Sequence, residues 1–203
     1  ALGGVVKLPT PQSAGSLIDY QRSGRFTATG GGFSTHSAEL TIVQAAGRGL
    51  LQLSGRDFAT DGFSLVAPED RGPVDLAAWS KHRWLSARWT QPVGEQATLT
   101  VTGRTFREKR GNGTAYQRNS SEEDFGSVAL TAESGKNFSW IALAYAQDQS
   151  FSSTFGAVNA TRTTGKRPVR RARHRARRGV DRNLVASRRS PHECRPRSAP
   201  GAR

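Results

Sequence analysis

Apolar and polar residues alternate with a period of two over much of this chain, a pattern that favours β-strands over helices. The clearest example is Gln96–Arg107, in which Ala97, Leu99 and Val101 alternate with threonines. Successive side chains of a strand point to opposite faces, so this segment predicts one apolar and one polar face. Helical periodicity is nearly absent from residues 1–164. We therefore predict an all-β fold.

Six further segments are predicted to be strands, because they alternate in polarity and are separated by turn residues. They are Arg25–Phe33, Ala38–Ala45, Leu50–Phe58, Arg83–Gln91, Gly126–Glu133 and Phe138–Asp148. Short connections are predicted at 35–37, 46–49, 92–95 and 134–137, and long polar ones at 59–80 and 108–124. An antiparallel up-and-down meander with short turns at one end and long loops at the other is typical of an outer-membrane β-barrel wall. A soluble sandwich normally has more uniform turns and denser apolar inner faces.

The composition limits what these strands can bury. Hydrophobic residues make up 35% of the chain, which predicts a thin core unless half of each strand faces something other than that core. Aromatic residues cluster near predicted strand ends, as in the interfacial girdles of barrels, although core aromatics of a soluble β-protein remain an alternative. The chain has no Met and a single Cys, Cys194. We expect an internal fragment or processed chain, without an internal disulfide.

The positive charge is concentrated in residues 165–203, which carry 14 Lys and Arg against 2 Asp and Glu, whereas residues 1–164 carry 16 against 14. The tail lacks strand alternation and is interrupted by prolines, so we predict that it is disordered. It could be an Arg-rich arm that binds nucleic acid or anionic lipid, a flexible linker, or the product of a wrong reading frame in a GC-rich gene. Back-translation of Gly165–Arg178 with GC-rich codons gives, after a one-base shift, a peptide that reads like a continuing barrel. That result favours the reading-frame interpretation.

No catalytic constellation is recognisable, and we predict no enzyme, no cofactor and no metal site. His36 and His82 stand apart in strand-end contexts, where a solvated side chain is the simpler interpretation. Glu122–Asp124 and the pair Asp57 and Asp61 offer carboxylates for a cation. They lack the alternating oxygen ligands of a calcium loop, so solvated loops are again the simpler interpretation.

Short motifs in a fixed order carry a resemblance to a known family. The first residues are Ala1, Leu2, Gly3, Gly4, Val5 and Val6. This run resembles the segment that closes the plug domain of TonB-dependent outer-membrane receptors. Gly24–Phe33 and Ser54–Phe63 resemble early barrel strands of that family, and Arg71–Asp75 (RGPVD) resembles its Arg-Gly-x-x-Asp stretch. The resemblance covers residues 1–162.

The resemblance implies a fragment of a receptor that takes up a scarce ligand, of the siderophore, cobalamin or carbohydrate class, across the bacterial outer membrane. Residues 1–20 would end the plug, residues 21–164 would form about the first seven barrel strands, and residues 165–203 would be the basic tail. The implied partners are outer-membrane lipid, the inner-membrane energy-coupling protein TonB and an unidentified ligand bound by the long loops. The isolated chain is not expected to transport.

Two sets of side chains are assigned to the faces of this expected partial barrel. Lumen-facing positions are Thr98, Thr100, Thr102 and Arg104, and lipid-facing positions are Leu99, Val101, Ile141 and Leu143. The alternative from a different class is a soluble β-domain with an Arg-rich arm that binds nucleic acid, a partner expected only if the tail is genuine.

Overall fold

A computed structural model of the chain describes residues 22–134, 138–166 and 169–185. In these ranges eight antiparallel strands form one sheet in the order β1-β2-β3-β4-β5-β6-β7-β8. The strands are β1 (Ser23–Gly31), β2 (Thr35–Ala46), β3 (Gly49–Ser64), β4 (Ala77–Val93), β5 (Ala97–Gly111), β6 (Arg118–Ser134), β7 (Phe138–Phe155) and β8 (Val169–Val185). One turn of 3-10 helix, Pro68–Asp70, lies between β3 and β4.

The predicted all-β, up-and-down antiparallel meander is confirmed. Every strand pairs with the strand that follows it in the chain, and the sheet is open, since β1 and β8 each have one paired neighbour within the described residues. Antiparallel strands in sequence order need only short connections. The alternating polarity and the turn residues between segments are therefore sufficient to set this topology.

The strands extend much further than the sequence predicts. The loops expected at 59–80 and 108–124 are reduced to 65–76 and 112–117, because polar residues on both sides continue the ladder. On β5 and β6, for example, Glu108 pairs with Ser121 and Arg110 pairs with Asn119. Backbone N–H and C=O groups pair irrespective of side-chain polarity, so polar segments that read as loops are strands here.

The predicted disordered tail requires a correction over residues 169–185, which form β8. This strand pairs with β7 along its whole length, from Val169 opposite Phe155 to Val185 opposite Ser139. The outer edge of β7 offers a row of backbone groups to any chain without proline. Alternation is needed only where a strand buries one face, and the described side chains of β8 are almost all exposed. Residues 186–203 lie outside the described residues, and so does Cys194.

The sheet is a single layer with almost no interior of its own. Among the described residues, the buried hydrophobic side chains are Val74, which lies in a loop, and Ala132 on β6. Large apolar side chains are instead exposed on the strands, among them Phe26 (67%), Leu85 (56%) and Val180 (71%). The thin core expected from composition is thus confirmed in the described part of the chain.

Candidate functional site

The register divides the side chains of the sheet into two faces. Directly opposite residues on neighbouring strands share a face, so Leu99 on β5 shares a face with Leu130 on β6 and with Ala142 on β7. We call the face of Leu99 the apolar face and the face of its neighbour Thr100 the polar face.

The apolar face carries a band of mostly hydrophobic side chains, which we call the apolar band. Polar or charged residues interrupt it at Gln44 on β2, at Gln91 on β4, and at Arg178 and Arg182 on β8. Its members are Phe26 and Ala28 on β1, Leu40 and Ile42 on β2, Leu51 and Leu53 on β3, Leu85, Ala87, Trp89 and Val93 on β4, Ala97, Leu99 and Val101 on β5, Val128, Leu130 and Ala132 on β6, Trp140, Ala142, Ala144 and Ala146 on β7, and Val180 on β8. From Leu85 to Val93 the band follows β4 for about 27 Å at about 3.4 Å per residue.

The register places the two predicted sets of side chains on the faces of the sheet, and their exposure to lumen or lipid stays a prediction. Thr98, Thr100, Thr102 and Arg104 lie on the polar face. Leu99 and Val101 lie on the apolar face, but Ile141 and Leu143 do not share it. Ile141 is opposite Thr131, which is opposite Thr98; Leu143 is opposite Ala129, which is opposite Thr100.

The error has a physical cause. Alternation within a strand predicts which residues share a face of that strand, but the offset between strands depends on the number of residues in the turn, and one residue exchanges the two faces. On β7 Ile141 and Leu143 lie on the polar face, whereas Trp140 and the small Ala142 and Ala144 lie on the apolar face. The aliphatic residues Ile141 and Leu143 therefore pointed to the wrong face.

Charged side chains occupy the apolar face beyond the band, toward the longer loops. One row across four strands consists of Asp57, Arg83, Arg107 and Glu122. Arg107 pairs with Asp124 at 2.7 Å and lies 3.9 Å from Glu122. The two ends of this row are acidic and its two central strands are basic.

The next row outward contains two lysines, Lys81 on β4 and Lys109 on β5, which are directly opposite each other. Their neighbours in the row, Ala59 on β3 and Ser120 on β6, are uncharged. We call Lys81 and Lys109 the lysine row. In the described part of the chain neither lysine forms an ion pair within 4.0 Å.

The polar face carries its own pairs of opposite charge. Arg104 binds Glu123, and Arg56 binds Glu39 at 3.2 Å. His82 stacks on Phe58, with ring centroids 4.7 Å apart. These contacts connect neighbouring strands, and all of them lie on the loop side of Thr98, Thr100 and Thr102.

Three loops at the same end of the sheet contact one another. We call residues 65–76, 112–117 and 156–166 the loop cluster. Arg162 donates to both carboxylate oxygens of Asp75, through Nε to Oδ2 at 2.7 Å and through Nη2 to Oδ1. The Gly72 N–H also donates to Oδ2, at 2.9 Å. The Asp75 side chain is completely buried, whereas the Arg162 side chain is 30% exposed.

The electrostatics of this pair follow from its hydrogen bonds. The hydrogen bond from Arg162, followed by that from the Gly72 N–H, lowers the pKa of Asp75 to about 2. The same carboxylate raises the pKa of Arg162 above its ordinary value. A carboxylate held by three donors is ionised at neutral pH, so the pair connects loops 87 residues apart in the chain as a charge-assisted contact.

Backbone contacts fit the three loops closely together. The Val74 N–H donates to the Arg162 carbonyl at 3.3 Å, and the Leu76 N–H donates to the Gly113 carbonyl at 2.9 Å. A Cβ at Gly72 would overlap the Arg162 carbonyl, and one at Gly165 would overlap the Tyr116 ring. The loop cluster is therefore a packed unit rather than three independent loops.

The carboxylates considered as cation ligands are placed differently from one another. Glu122 and Asp124 lie on the apolar face beside Arg107, whereas Glu123 lies on the polar face beside Arg104. Within the described residues, no group of three or more His, Cys, Asp or Glu side chains is arranged to hold a metal ion. The predicted absence of metal, cofactor and catalytic sites stays a prediction.

Sequence reasoning overlooked Arg162 and the lysine row. Asp75 belongs to the RGPVD stretch, but its partner Arg162 lies 87 residues away and has no local sequence signal. Lys81 and Lys109 are 28 positions apart, and only the register shows that they are opposite. The run from Ala1 to Val6, predicted to end a plug domain, lies outside the described residues.

Comparison with known proteins yields no relative: no family model, no curated protein and no solved structure matches the chain. In the described ranges, no helix has the length and apolarity needed to cross a membrane.

Proposed function

We propose that this chain forms part of the wall of a membrane β-barrel, with the apolar face toward lipid and the polar face toward the lumen. The observation that carries the proposal is the apolar band. It runs across strands β1 to β7 on one face and reaches β8 at Val180, which lies between Arg178 and Arg182. Its large side chains remain exposed, including Leu85, Val128 (47%) and Val180. A water-exposed apolar surface of this extent calls for a covering phase or partner.

The dimensions of the band fit a bilayer. Its length of about 27 Å along β4 corresponds to about 21 Å along the membrane normal for strands tilted by about 40°. Outer-membrane barrels present an apolar band about 25 Å tall. The charged rows begin where the band ends, and the loop cluster lies beyond them.

The receptor type is the second part of the proposal. We infer a TonB-dependent receptor from the run that begins at Ala1 and from the RGPVD stretch at Arg71–Asp75. In such a receptor, barrel strands outside this chain would pair with β1 and β8. The loop cluster would contribute to the entrance for a scarce ligand, and TonB would supply energy from the inner membrane. Positioned loops on a rigid sheet are the usual location for ligand contacts.

Site-directed probes test the orientation of the faces. Cys194→Ser provides a cysteine-free background, in which Leu99→Cys and Thr100→Cys carry the same environment-sensitive fluorophore. After the full chain is folded into phosphatidylcholine vesicles, we expect a quencher on the lipid chains to quench position 99 and an aqueous quencher to quench position 100. A chain that is soluble, monomeric and cooperatively folded without detergent would contradict the proposal.

A second pair of positions separates the register from simple hydrophobicity. Ile141 is more apolar than Ala142, but Ala142 shares the apolar face with Leu99. We therefore expect lipid quenching for a probe at Ala142→Cys and aqueous quenching for a probe at Ile141→Cys. The opposite result would show that the lipid-facing surface does not follow this register.

A second candidate function follows from β8. Four arginines occupy its polar face at alternate positions, Arg171, Arg173, Arg175 and Arg177. They are exposed and spaced by about 6.8 Å, a row suited to the phosphates of an extended nucleic acid. This candidate predicts steeply salt-dependent polyanion binding in the absence of lipid, lost when residues 165–203 are deleted. Binding that survives the deletion would exclude it.

A further inference from the structure

The lysine row places two like charges where they repel each other. Lys81 and Lys109 are directly opposite, and Cα atoms of opposite residues in an antiparallel pair are about 4.5–5.5 Å apart. Like charges in this position are destabilising. Both side chains are exposed, and neither has an ionic partner among the described residues. The arrangement favours a bound anion between them.

Four carboxylates lie around the lysine row. Glu108 and Glu122 lie within 4.0 Å of an arginine, whereas Asp57 and Asp61 have no ion pair within that distance in the described ranges. In the adjacent row Arg107 is neutralised by Asp124 and Glu122. Arg83 lies in the same row, without an ion pair within 4.0 Å in the described ranges, and is directly opposite Asp57. Glu108 borders the region, but its strand position is on the polar face, where it lies 4.0 Å from Arg110.

The lysine row also lines a concavity. A cleft of about 850 Å³ has a charged lining with Trp79 and Leu76 as apolar members. Its charged members are Lys81, Arg83, Arg107 and Lys109 together with Asp57, Asp61, Glu108 and Glu122. Clefts of about 300–1,000 Å³ accommodate small molecules and headgroups. The cleft is therefore large enough for a phosphorylated group together with part of the molecule that carries it.

We propose that Lys81, Lys109 and Arg83 bind the phosphate of a phosphorylated lipid headgroup. The assignment to lipid rests on the proposed function, because it requires the apolar band to face the bilayer. Arg83 and Leu85, at the edge of the band, are neighbours on the same face of β4 and lie about 7 Å apart along the strand. The basic groups are therefore at the level where headgroups begin.

The chemistry of the three groups suits a phosphate monoester. Such a group carries about −1.5 to −2 charges at neutral pH and presents three acceptor oxygens. Two lysines donate from opposite sides as point charges, and the planar guanidinium of Arg83 can donate two parallel hydrogen bonds. A bound phosphate would replace the repulsion between the lysines by two attractions.

The test uses the full chain in neutral maltoside micelles, with a fluorophore at Leu85→Cys in the Cys194→Ser background. Three probes are compared: dioleoyl phosphatidic acid, dioleoylglycerol with the same chains but no phosphate, and inorganic phosphate. We expect phosphatidic acid to bind most tightly. Lys81→Gln with Lys109→Gln should weaken its binding about 30-fold, since each lysine near an anionic lipid contributes about fivefold.

The matched control is Arg88→Gln with Arg110→Gln, which removes the same charge from the same two strands on the polar face. Binding within about twofold of the parent supports the proposal, whereas an equal loss in both double variants overturns it. Inorganic phosphate or dioleoylglycerol binding as tightly as phosphatidic acid also overturns the lipid-phosphate assignment. If the double lysine variant fails to fold, Lys109→Gln replaces it with an expected fivefold loss. The probes at positions 99 and 100 measure membrane insertion, and this measurement does not depend on Lys81 or Lys109. A failure of the proposed barrel function can therefore be distinguished from a failure of the phosphate site.

Discussion

The two ends of the sheet are stabilised in different ways. At one end, short turns join β2 to β3 at 47–48 and β4 to β5 at 94–96, and each contains a glycine with positive φ, Gly47 at 64° and Gly94 at 67°. At the other end, three longer loops contact one another through Asp75 and Arg162. The first end depends on local backbone geometry, and the second depends on side chains distant in sequence.

This difference separates structural roles from functional ones. The end with short turns is next to the apolar band, where most side chains are hydrophobic. The end with long loops combines the charged rows, the lysine row and the loop cluster. Loops held by side-chain contacts can be rearranged by a ligand or by pH while the backbone hydrogen bonds between the strands remain. Turns of two or three residues cannot be rearranged without breaking those hydrogen bonds.

The largest effect is expected for Gly62→Ala, compared with Gly94→Ala at the opposite end. Both glycines have φ of 67°. A Cβ at Gly94 meets no atom within 4 Å, whereas one at Gly62 would overlap the Ala78 carbonyl oxygen. We expect Gly94→Ala to lower the free energy of unfolding by about 1 kcal/mol and Gly62→Ala by about 3 kcal/mol. Denaturant unfolding in micelles, followed by tryptophan fluorescence, measures both.

The interpretation of this pair depends on the β-bulge between Thr60 and Phe63. The Gly62 N–H donates to Thr60 Oγ1 at 3.1 Å, and the Asp61 N–H donates to the Phe33 carbonyl at 2.9 Å. If Gly62→Ala and Gly94→Ala lowered the free energy of unfolding equally, the bulge would not be tightly packed against β4. That result would contradict the proposed difference between the two ends of the sheet.

Alternation in the sequence predicts which residues of one strand share a face. It does not predict which faces of neighbouring strands lie on the same side of the sheet. Leu99 and Thr100 could be assigned to different faces from β5 itself, because the period of two is a local property. Ile141 could not be assigned relative to Leu99, since two turns intervene and one residue in either exchanges the faces. β8 could not be predicted from alternation, because its pairing uses the backbone edge of β7.

The candidate site was still less accessible from the sequence. Asp75 and Arg162 are 87 residues apart, and the loops between them contain many other charges of either sign. Lys81 and Lys109 oppose each other only because β4 and β5 are joined by a turn of three residues at 94–96. Contacts of this kind follow from turn lengths and loop packing, which residue types alone do not determine.

A smaller effect, restricted to the loop cluster, is expected from acid. A carboxyl with a lower pKa in the folded state stabilises that state above its unfolded pKa and loses this contribution as the pH falls through the folded value. For Asp75 the window runs from about pH 3.8 down to about 2. In the Cys194→Ser background, we expect energy transfer between labels at Glu69→Cys and Thr161→Cys to fall across this window while the tryptophan spectrum of the sheet changes little.

Two variants identify the group responsible for the acid response. Asp75→Asn should lower the energy transfer at neutral pH and remove its dependence on pH between 4 and 2, because Arg162 then lacks its anionic partner. Glu95→Gln, in the turn at the opposite end, should retain the response of the parent chain. An unchanged acid response in Asp75→Asn would assign the transition to another carboxyl and contradict the role of this pair.

The smallest effect concerns the turn between β1 and β2, the one short turn at the loop end. Phe33 and Ser34 have φ of 58° and 52°, as both central residues of a type I′ turn require, and Asn-Gly is the preferred pair there. Ser34→Gly should raise the free energy of unfolding by about 0.5–1 kcal/mol, because glycine adopts positive φ without steric cost.

Phe33→Asn should change the free energy of unfolding very little. Asparagine adopts positive φ more easily than phenylalanine, but the variant loses the contact with the Phe63 ring, whose centroid is 6.3 Å away. That contact is worth about 0.5–1.5 kcal/mol. Denaturant midpoints of the two single variants separate these effects, and a destabilised Ser34→Gly would show that residue 34 does not have positive φ.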